Sequence, residues 1–425
     1  MSRALKILAI AYACNPAQGS EEGVGWGWVQ AIASRHEVDV ITAGYHRADI
    51  ERATASGAAG STRNLRFHYV PEKSWHYRPT RAWKVVENSA LKPIMNLAYN
   101  GWLKDAHRLA GRLHERRGFD LVHLITYVGF RFPGRFYRMD IPLVWGPIGG
   151  LEETPWRFLS LMGPAGAFYY GGRNVYNLLQ KLLLPGPKRA FAKASKTGSV
   201  IAATEGIRRE IRRWYGRDSR IICEIGPPDL STGTSSPRGP GEPLRLVWSG
   251  QHQPGKALPL LLKALARLDG RLDWRLTVLG TGGCTTSWKW LARGLGIAEK
   301  IRWPGWVPRA EAVRLMSEAH IAVITSLKDL TSTVLLEALA AGLPVICPDA
   351  CGFANVVTPD CGLKFPVESP RQVIADLAAA IERLAADEPE RRRLAAGALR
   401  RILDFSWEKK AAAVDEIYQR AVSRL

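Results

Sequence analysis

Short apolar runs alternate with helical stretches along most of this chain. From the N-terminus, "KILAIAYA" reads as a buried strand, "CNPAQGSEEG" as a loop, "VGWGWVQAIASR" as a helix and "EVDVITA" as the next strand. A strand, helix, strand opening implies a parallel sheet covered by helices. "LVHLIT" and "IPLVWGP" repeat the short buried strand, "KTGSVIAATEGIRREIRRWYG" adds a strand, a turn and a basic helix, and "RIICEI" ends this half. Residues 226 to 243, "GPPDLSTGTSSPRGPGEP", are crowded with Gly, Pro and Ser and form a linker. Beyond it the cycle restarts with "LRLVWSG", a Gly loop, "ALPLLLKALARL", "WRLTVLG", "TTSWKWLARGLG", "IRWPGWV", "RAEAVRLMSEA", "IAVITS", "STVLLEALAAG" and "LPVICPD".

The pattern predicts an α/β protein of two doubly wound, Rossmann-like domains, 1–225 and 244–407, joined by the linker 226–243. "FSWEKKAAAVDEIYQRAVSRL" is amphipathic and predicts a closing helix over 408–425. Two such sheets leave a cleft between their strand C-termini, where ligands bind. A chain of 425 residues exceeds one ordinary core, and 46% hydrophobic residues suffice to bury two.

Net charge changes the picture. A formal +20 predicts an anionic partner. Nucleic acid is disfavoured, because the basic residues spread through helices and no module of clustered base-reading aromatics occurs. The six cysteines show no two-residue spacing, so neither a metal site nor a redox motif is expected, and a reducing cytoplasm fits them. The start "MSRALKILAIAYAC" imitates a signal peptide, but the Gly-rich loop and helix that follow at once favour a first strand. No apolar run approaches the roughly 20 residues of a membrane span, so any membrane is met from one side.

Candidate chemistry lies at two loops. In "WSGQHQPGK" a strand ends at Gly250, and Lys256 stands just before a helix, which places N–H groups and an ammonium around one point suited to a phosphate. An ordinary turn with a solvated lysine has the same residues. "CNPAQGSEEGVG", with Gly19 and Ser20, makes a similar turn toward the cleft. In "SLKDLTSTVLLEALAAG", Thr331 or Ser332 is the expected N-cap, with Thr333 following, and free N–H groups there attract an anion. Asp329 calls for hydroxyl donors or a cationic side chain. Glu337 sits among apolar residues and requires donors to offset its desolvation. A polyhydroxylated ligand with a diphosphate meets all three demands, which describes a sugar nucleotide.

From about Leu244 to Tyr418 the chain resembles retaining glycosyltransferases of family 4, of the two-domain GT-B fold. The resemblance implies Asp329 and Glu337 as the paired acids of the donor site, Gly250 and Lys256 as the phosphate element, and Val307 as backbone near the base. Leu330, Thr331, Ser332 and Thr333 replace the usual Gly-rich loop, Asp329 replaces a glutamate, and Gln251 replaces an arginine. His123 in "DLVHLITY" is the candidate cleft histidine, with a core histidine as the alternative. The implied activity is transfer of a hexose from a nucleotide-diphosphate sugar to a lipid-linked or growing glycan in polysaccharide biosynthesis. A degenerate binding protein and a sugar-nucleotide epimerase are the alternatives. No cofactor or metal is implied beyond the donor.

Two stretches exceed what a plain sheet needs. "SWHYRPTRAWKVVENSALKPIMNLAYNGWLKDAHRLAGRLHERRG" contains Trp75, Arg81, Trp83 and Lys84, and "PWRFLSLMGPAGAFYYGGRNVYNLLQKLLLPGPKRAFAK" contains Trp156 and Arg157. Aromatics interleaved with basic residues suit an acceptor site at an anionic membrane surface on the cytoplasmic side. Helices packed on the sheet with solvated basic faces would look alike.

Overall fold

The computed structural model describes residues 3–56, 63–71, 92–227, 237–239 and 241–424. The first sheet holds β1 (Lys6–Ile10), β2 (Glu37–Ala43), β3 (Leu65–Val70), β4 (Leu121–Leu124), β5 (Leu143–Ile148), β6 (Val200–Ala202) and β7 (Arg220–Ile221). The second holds β8 (Leu244–Ser249), β9 (Trp274–Leu279), β10 (Ile301–Gly305), β11 (Ile321–Val323), β12 (Val345–Pro348) and β13 (Gly362–Phe365). Their orders are β3-β2-β1-β4-β5-β6-β7 and β10-β9-β8-β11-β12-β13, with parallel pairing throughout. Each sheet winds outward from its first strand and then returns past it, so the switch points fall between β1 and β4 and between β8 and β11.

The central strands are apolar on both faces because helices cover both. Ile7 to Ile10 of β1 and all of β5 are buried. The edge strands β3 and β13 lie beyond the expectations above, as do the helices Pro370–Ala386 and Glu388–Ile402. With one neighbour each, edge strands tolerate polar positions such as the exposed Arg66 and Lys364, which blurs the apolar run that betrays an inner strand.

Two segments cross between the halves. The turn Trp156–Met162 and the helix Gly163–Leu183 lie against the second unit, where Phe158, Met162 and Tyr170 share a core with Trp248, Leu258 and Leu261. The closing helix Trp407–Ser423 returns to the first unit, where Val414, Ile417 and Tyr418 pack with Ile7 and Trp28. Its Trp407 ring is held between Gly27 and Gly226: a Cβ at the first would fall 2.1 Å from Cζ2, and one at the second 2.2 Å from Cε2. Gly27→Val should therefore cost about 1–3 kcal/mol and lower the thermal midpoint by several degrees. Equal melting curves for the variant and wild type would show that the ring is free to move.

The helix Lys92–Arg117 turns Tyr99, Trp102, Leu103 and Ala106 into the first core. These aromatics of the first basic stretch are thus packing residues rather than a surface. Trp75, Arg81, Trp83 and Lys84 lie outside the described residues.

Candidate active site

The candidate chemistry collects at the C-terminal ends of β8 and β11. After β8 the chain passes Gly250 to Gln253, makes the 3-10 turn Pro254–Lys256, and enters the helix Leu258–Leu265. Hydrogen bonds tie this turn to the segment after β11. Leu327 N–H donates to Gly255 O at 2.9 Å, Thr325 Oγ1 donates to Lys256 O at 2.7 Å, and Trp248 Nε1–H donates to Thr325 Oγ1 at 3.0 Å. Gly280, at φ 105°, lets the end of β9 pass beneath the loop, since a Cβ there would meet Gly250 O at 2.0 Å. Gln251 is exposed and accepts from Gln253 Nε2 at 2.7 Å.

Lys256 Nζ lies 2.5 Å from Asp329 Oδ2, and each side chain is about one-fifth exposed. The other Asp329 oxygen accepts Leu330 N–H at 3.1 Å. A cationic partner was one of the two expected for Asp329, and Lys256 supplies it. Glu337, on the helix Thr333–Ala340, accepts from Arg309 Nε at 3.2 Å and is 13% exposed. Arg309 begins its own helix, and nothing in the spacing of "VPRAEA" announces the contact, because the two residues meet only when β10 and β11 fold into one sheet.

The segment Lys328 to Thr331, around the first of these acids, reaches across to the first unit. Leu330 packs against Gly149, where a Cβ would sit 3.0 Å from Leu330 Cδ2. Lys328 Nζ donates to Glu152 O, and burial pulls its pKa down to about 8. Thr331 is buried and its N–H donates to Glu224 Oε1 at 2.6 Å, while Trp28 Nε1–H donates to Glu224 O at 2.8 Å. Burial raises the Glu224 carboxyl to about 7. Glu224 was not singled out from sequence; the signal was a carboxylate inside the apolar run "RIICEI" beside the linker. Ser332 is the N-cap and makes no side-chain capping bond, and Thr333 is exposed.

On the opposite wall, Gly19 is the exposed N-cap of the helix Ser20–Ala33, of which Ser20 is described by its backbone alone. Val24 of this helix packs against the apolar patch that also takes Val307 and Val334. The first turns of both helices thus border the same apolar patch, and each N-terminus carries partial positive charge.

His123 corrects an expectation. It is fully buried in the middle of β4, its Nε2–H donating to Gly146 O at 2.8 Å and its Nδ1 accepting from Tyr418 Oη at 2.6 Å. Desolvation lowers its pKa to about 4, so the ring is neutral and serves the core, not the cleft. Strand alternation aims it at the closing helix. Trp156 stands exposed on the turn Trp156–Met162, and Arg157 Nη1 donates to Glu368 O at 3.4 Å across the units.

Fold and site together define a class. The architecture is the GT-B fold, and residues 236–401 match the family model described as Glycosyl transferases group 1. That match falls in the same half of the chain as the resemblance read from the sequence.

Among individual proteins, the D-inositol 3-phosphate glycosyltransferase of Streptomyces bingchenggensis is 30% identical over 244 residues, covering 52% of this chain and 53% of that one. The MMP alpha-(1->4)-mannosyltransferase of Mycolicibacterium hassiacum is 32% identical over 176 residues, covering 40% and 42%. The chain spans about half the length of the curated relatives it matches. The solved lipopolysaccharide outer core galactosyltransferase WaaB aligns over 97% of this chain and 99% of its own, at TM-score 0.63 and 16% identity. Anabaena HepE, solved in complex with UDP, aligns over 97% and 99% at TM-score 0.60 and 16% identity. Among the described residues, no helix is long and apolar enough to cross a membrane.

Proposed function

We propose that this chain is a retaining glycosyltransferase that moves a hexosyl group from a nucleotide-diphosphate sugar to a hydroxyl of a lipid-linked or growing glycan, at an anionic membrane surface on the cytoplasmic side. The observation that carries this reading is the Lys256–Asp329 pair, held at 2.5 Å at the strand ends of the group 1 domain. It joins one cation to one carboxylate where a sugar diphosphate demands both. The bond from sugar C1 to the phosphate oxygen breaks, its electron pair leaving on the diphosphate. A bond from C1 to the acceptor oxygen forms, and the acceptor proton passes to a phosphate oxygen. Lys256 and the helix N-termini stabilise the departing charge. Asp329 takes sugar hydroxyls, and Glu337 takes the ribose. The names of the relatives and the nucleotide seen in HepE support the transfer of a glycosyl group from a nucleotide sugar.

Calorimetry on Asp329 variants tests it. A sugar nucleotide should bind more tightly than the free nucleotide, and Asp329→Ala should abolish the difference. Asp329→Glu should also weaken binding, at an overpacking cost of about 1–3 kcal/mol, because the added methylene drives the carboxylate against Lys256, which already stands 2.5 Å away. Indistinguishable isotherms for the three proteins would instead favour a degenerate, non-catalytic relative.

A further inference from the structure

The helix Gly163–Leu183 is inside out. Its inward face carries Gly166 and Tyr170 in its first half and then Asn174, Asn177 and Lys181, all buried. Asn174 exchanges hydrogen bonds with the Thr154 backbone at 2.7 and 3.0 Å, Asn177 Nδ2 donates to Leu151 O at 3.2 Å, and Lys181 Nζ pairs with Glu210 at 2.6 Å and Glu153 at 3.3 Å. Its outward face carries Phe168, Val175, Tyr176, Leu179, Leu182 and Leu183, with Phe168 86% and Leu183 73% exposed. These positions recur at helical spacing and form one apolar stripe, the reverse of what a helix on a water-facing surface shows.

The surroundings indicate what covers the stripe. Arg173 is exposed on the same helix, Lys188 and Arg189 are exposed on the next, and Lys188 Nζ bonds Leu182 O at 2.9 Å at the end of the stripe. On the other side, Val175 and Leu178 border a groove of about 760 Å³ of mixed charge, lined by Trp156, Glu152, Glu153, Glu210, Arg209 and Arg213, so the basic rim of the stripe is Arg173, Lys188 and Arg189. A second copy in a two-fold contact would bring this basic rim against itself. An anionic bilayer meets both the apolar stripe and the rim.

Resting on the membrane reading above, we infer that the outward face of Gly163–Leu183 is the surface that inserts into the headgroup layer of an anionic bilayer, lying in its plane. The same helix reaches the candidate donor loop from its other side, since Cβ atoms added at Gly166 and Gly255 would fall 3.3 Å from Pro254 and 2.7 Å from Tyr170 Oη. Docking therefore sets the Lys256 turn about one helix diameter, roughly 10–12 Å, from the headgroups.

The test is co-sedimentation of the full chain with vesicles of equimolar phosphatidylcholine and phosphatidylglycerol, at low and at physiological salt. Phe168→Asp/Leu179→Asp should lower partitioning about tenfold or more, whereas Phe168→Leu/Leu179→Met keeps it. Leu182→Asp/Leu183→Asp is an independent pair, should the first disturb folding. The thermal midpoint and the affinity for a sugar nucleotide should stay at wild-type values in all of them. Equal vesicle binding by wild type and both aspartate pairs would overturn this assignment while leaving a membrane surface elsewhere. No binding by wild type would overturn the membrane reading with it. A sedimentation coefficient that drops in the aspartate variants, without change in vesicle binding, would assign the stripe to self-association instead. Donor affinity answers separately for the transferase reading.

Discussion

Lys256→Ala is expected to lower turnover about ten- to a hundredfold, the loss of roughly 1.4–2.7 kcal/mol from a charge-assisted contact to the leaving diphosphate. Its effect on the apparent affinity for donor should be smaller, because negative charge at that position grows as the glycosidic bond breaks. The ion pair complicates the single variant. Removing Lys256 also releases Asp329 from its 2.5 Å partner, and a freed carboxylate would repel the diphosphate. Lys256→Ala/Asp329→Ala separates the two effects. If the lysine acts on the transition state, the double variant stays at least as slow as the single one. If the loss comes from the orphaned carboxylate, the double variant recovers. The assay is release of labelled sugar from its nucleotide in the presence of a membrane extract, and wild-type turnover in Lys256→Ala would remove the lysine from the site.

His123→Ala should have the opposite signature: a stability loss of about 3 kcal/mol or more, with turnover per folded molecule unchanged. The ring bridges Tyr418 Oη and Gly146 O in a fully buried position, so its removal leaves two polar groups without partners and opens a cavity beneath the closing helix. The pH dependence has a definite sign. Burial holds the folded pKa at about 4 against an ordinary 6.5, so the stability this neutral ring contributes is complete above pH 6.5 and is lost as pH falls toward 4, where the unfolded chain binds a proton the folded one refuses. The alanine variant lacks that loss. Its deficit in urea unfolding should therefore shrink between about pH 7 and pH 4.5, by up to about 2–3 kcal/mol. A constant deficit would mean the ring is not held neutral, and a specific loss of turnover would return His123 to the cleft.

Much of this architecture is local in origin. A parallel strand covered on both faces must be apolar at nearly every position, so β1, β2, β5 and β8 are visible as runs in the primary structure, and the Gly, Pro and Ser crowding after "RIICEI" marks the passage between units. The Lys256 loop and the Asp329 to Glu337 segment were legible for the same reason. Each is a strand end followed by a helix start, and such junctions expose N–H groups wherever they occur. The partners were not legible. Lys256 meets Asp329 across 73 positions, Thr331 meets Glu224 across 107, and Arg309 reaches Glu337 only because β10 and β11 share a sheet. His123 illustrates the limit most plainly. Its neighbours in sequence place it on a strand, but whether that strand position faces the cleft or the Trp407–Ser423 helix depends on a chain segment 295 residues away. The Gly163–Leu183 helix shows the same limit, since its composition announces an amphipathic element and only the packing of Asn174, Asn177 and Lys181 against the body of the protein turns its apolar side outward. Periodicity reports that two faces differ; which of them meets water is settled by what the rest of the chain offers to bury.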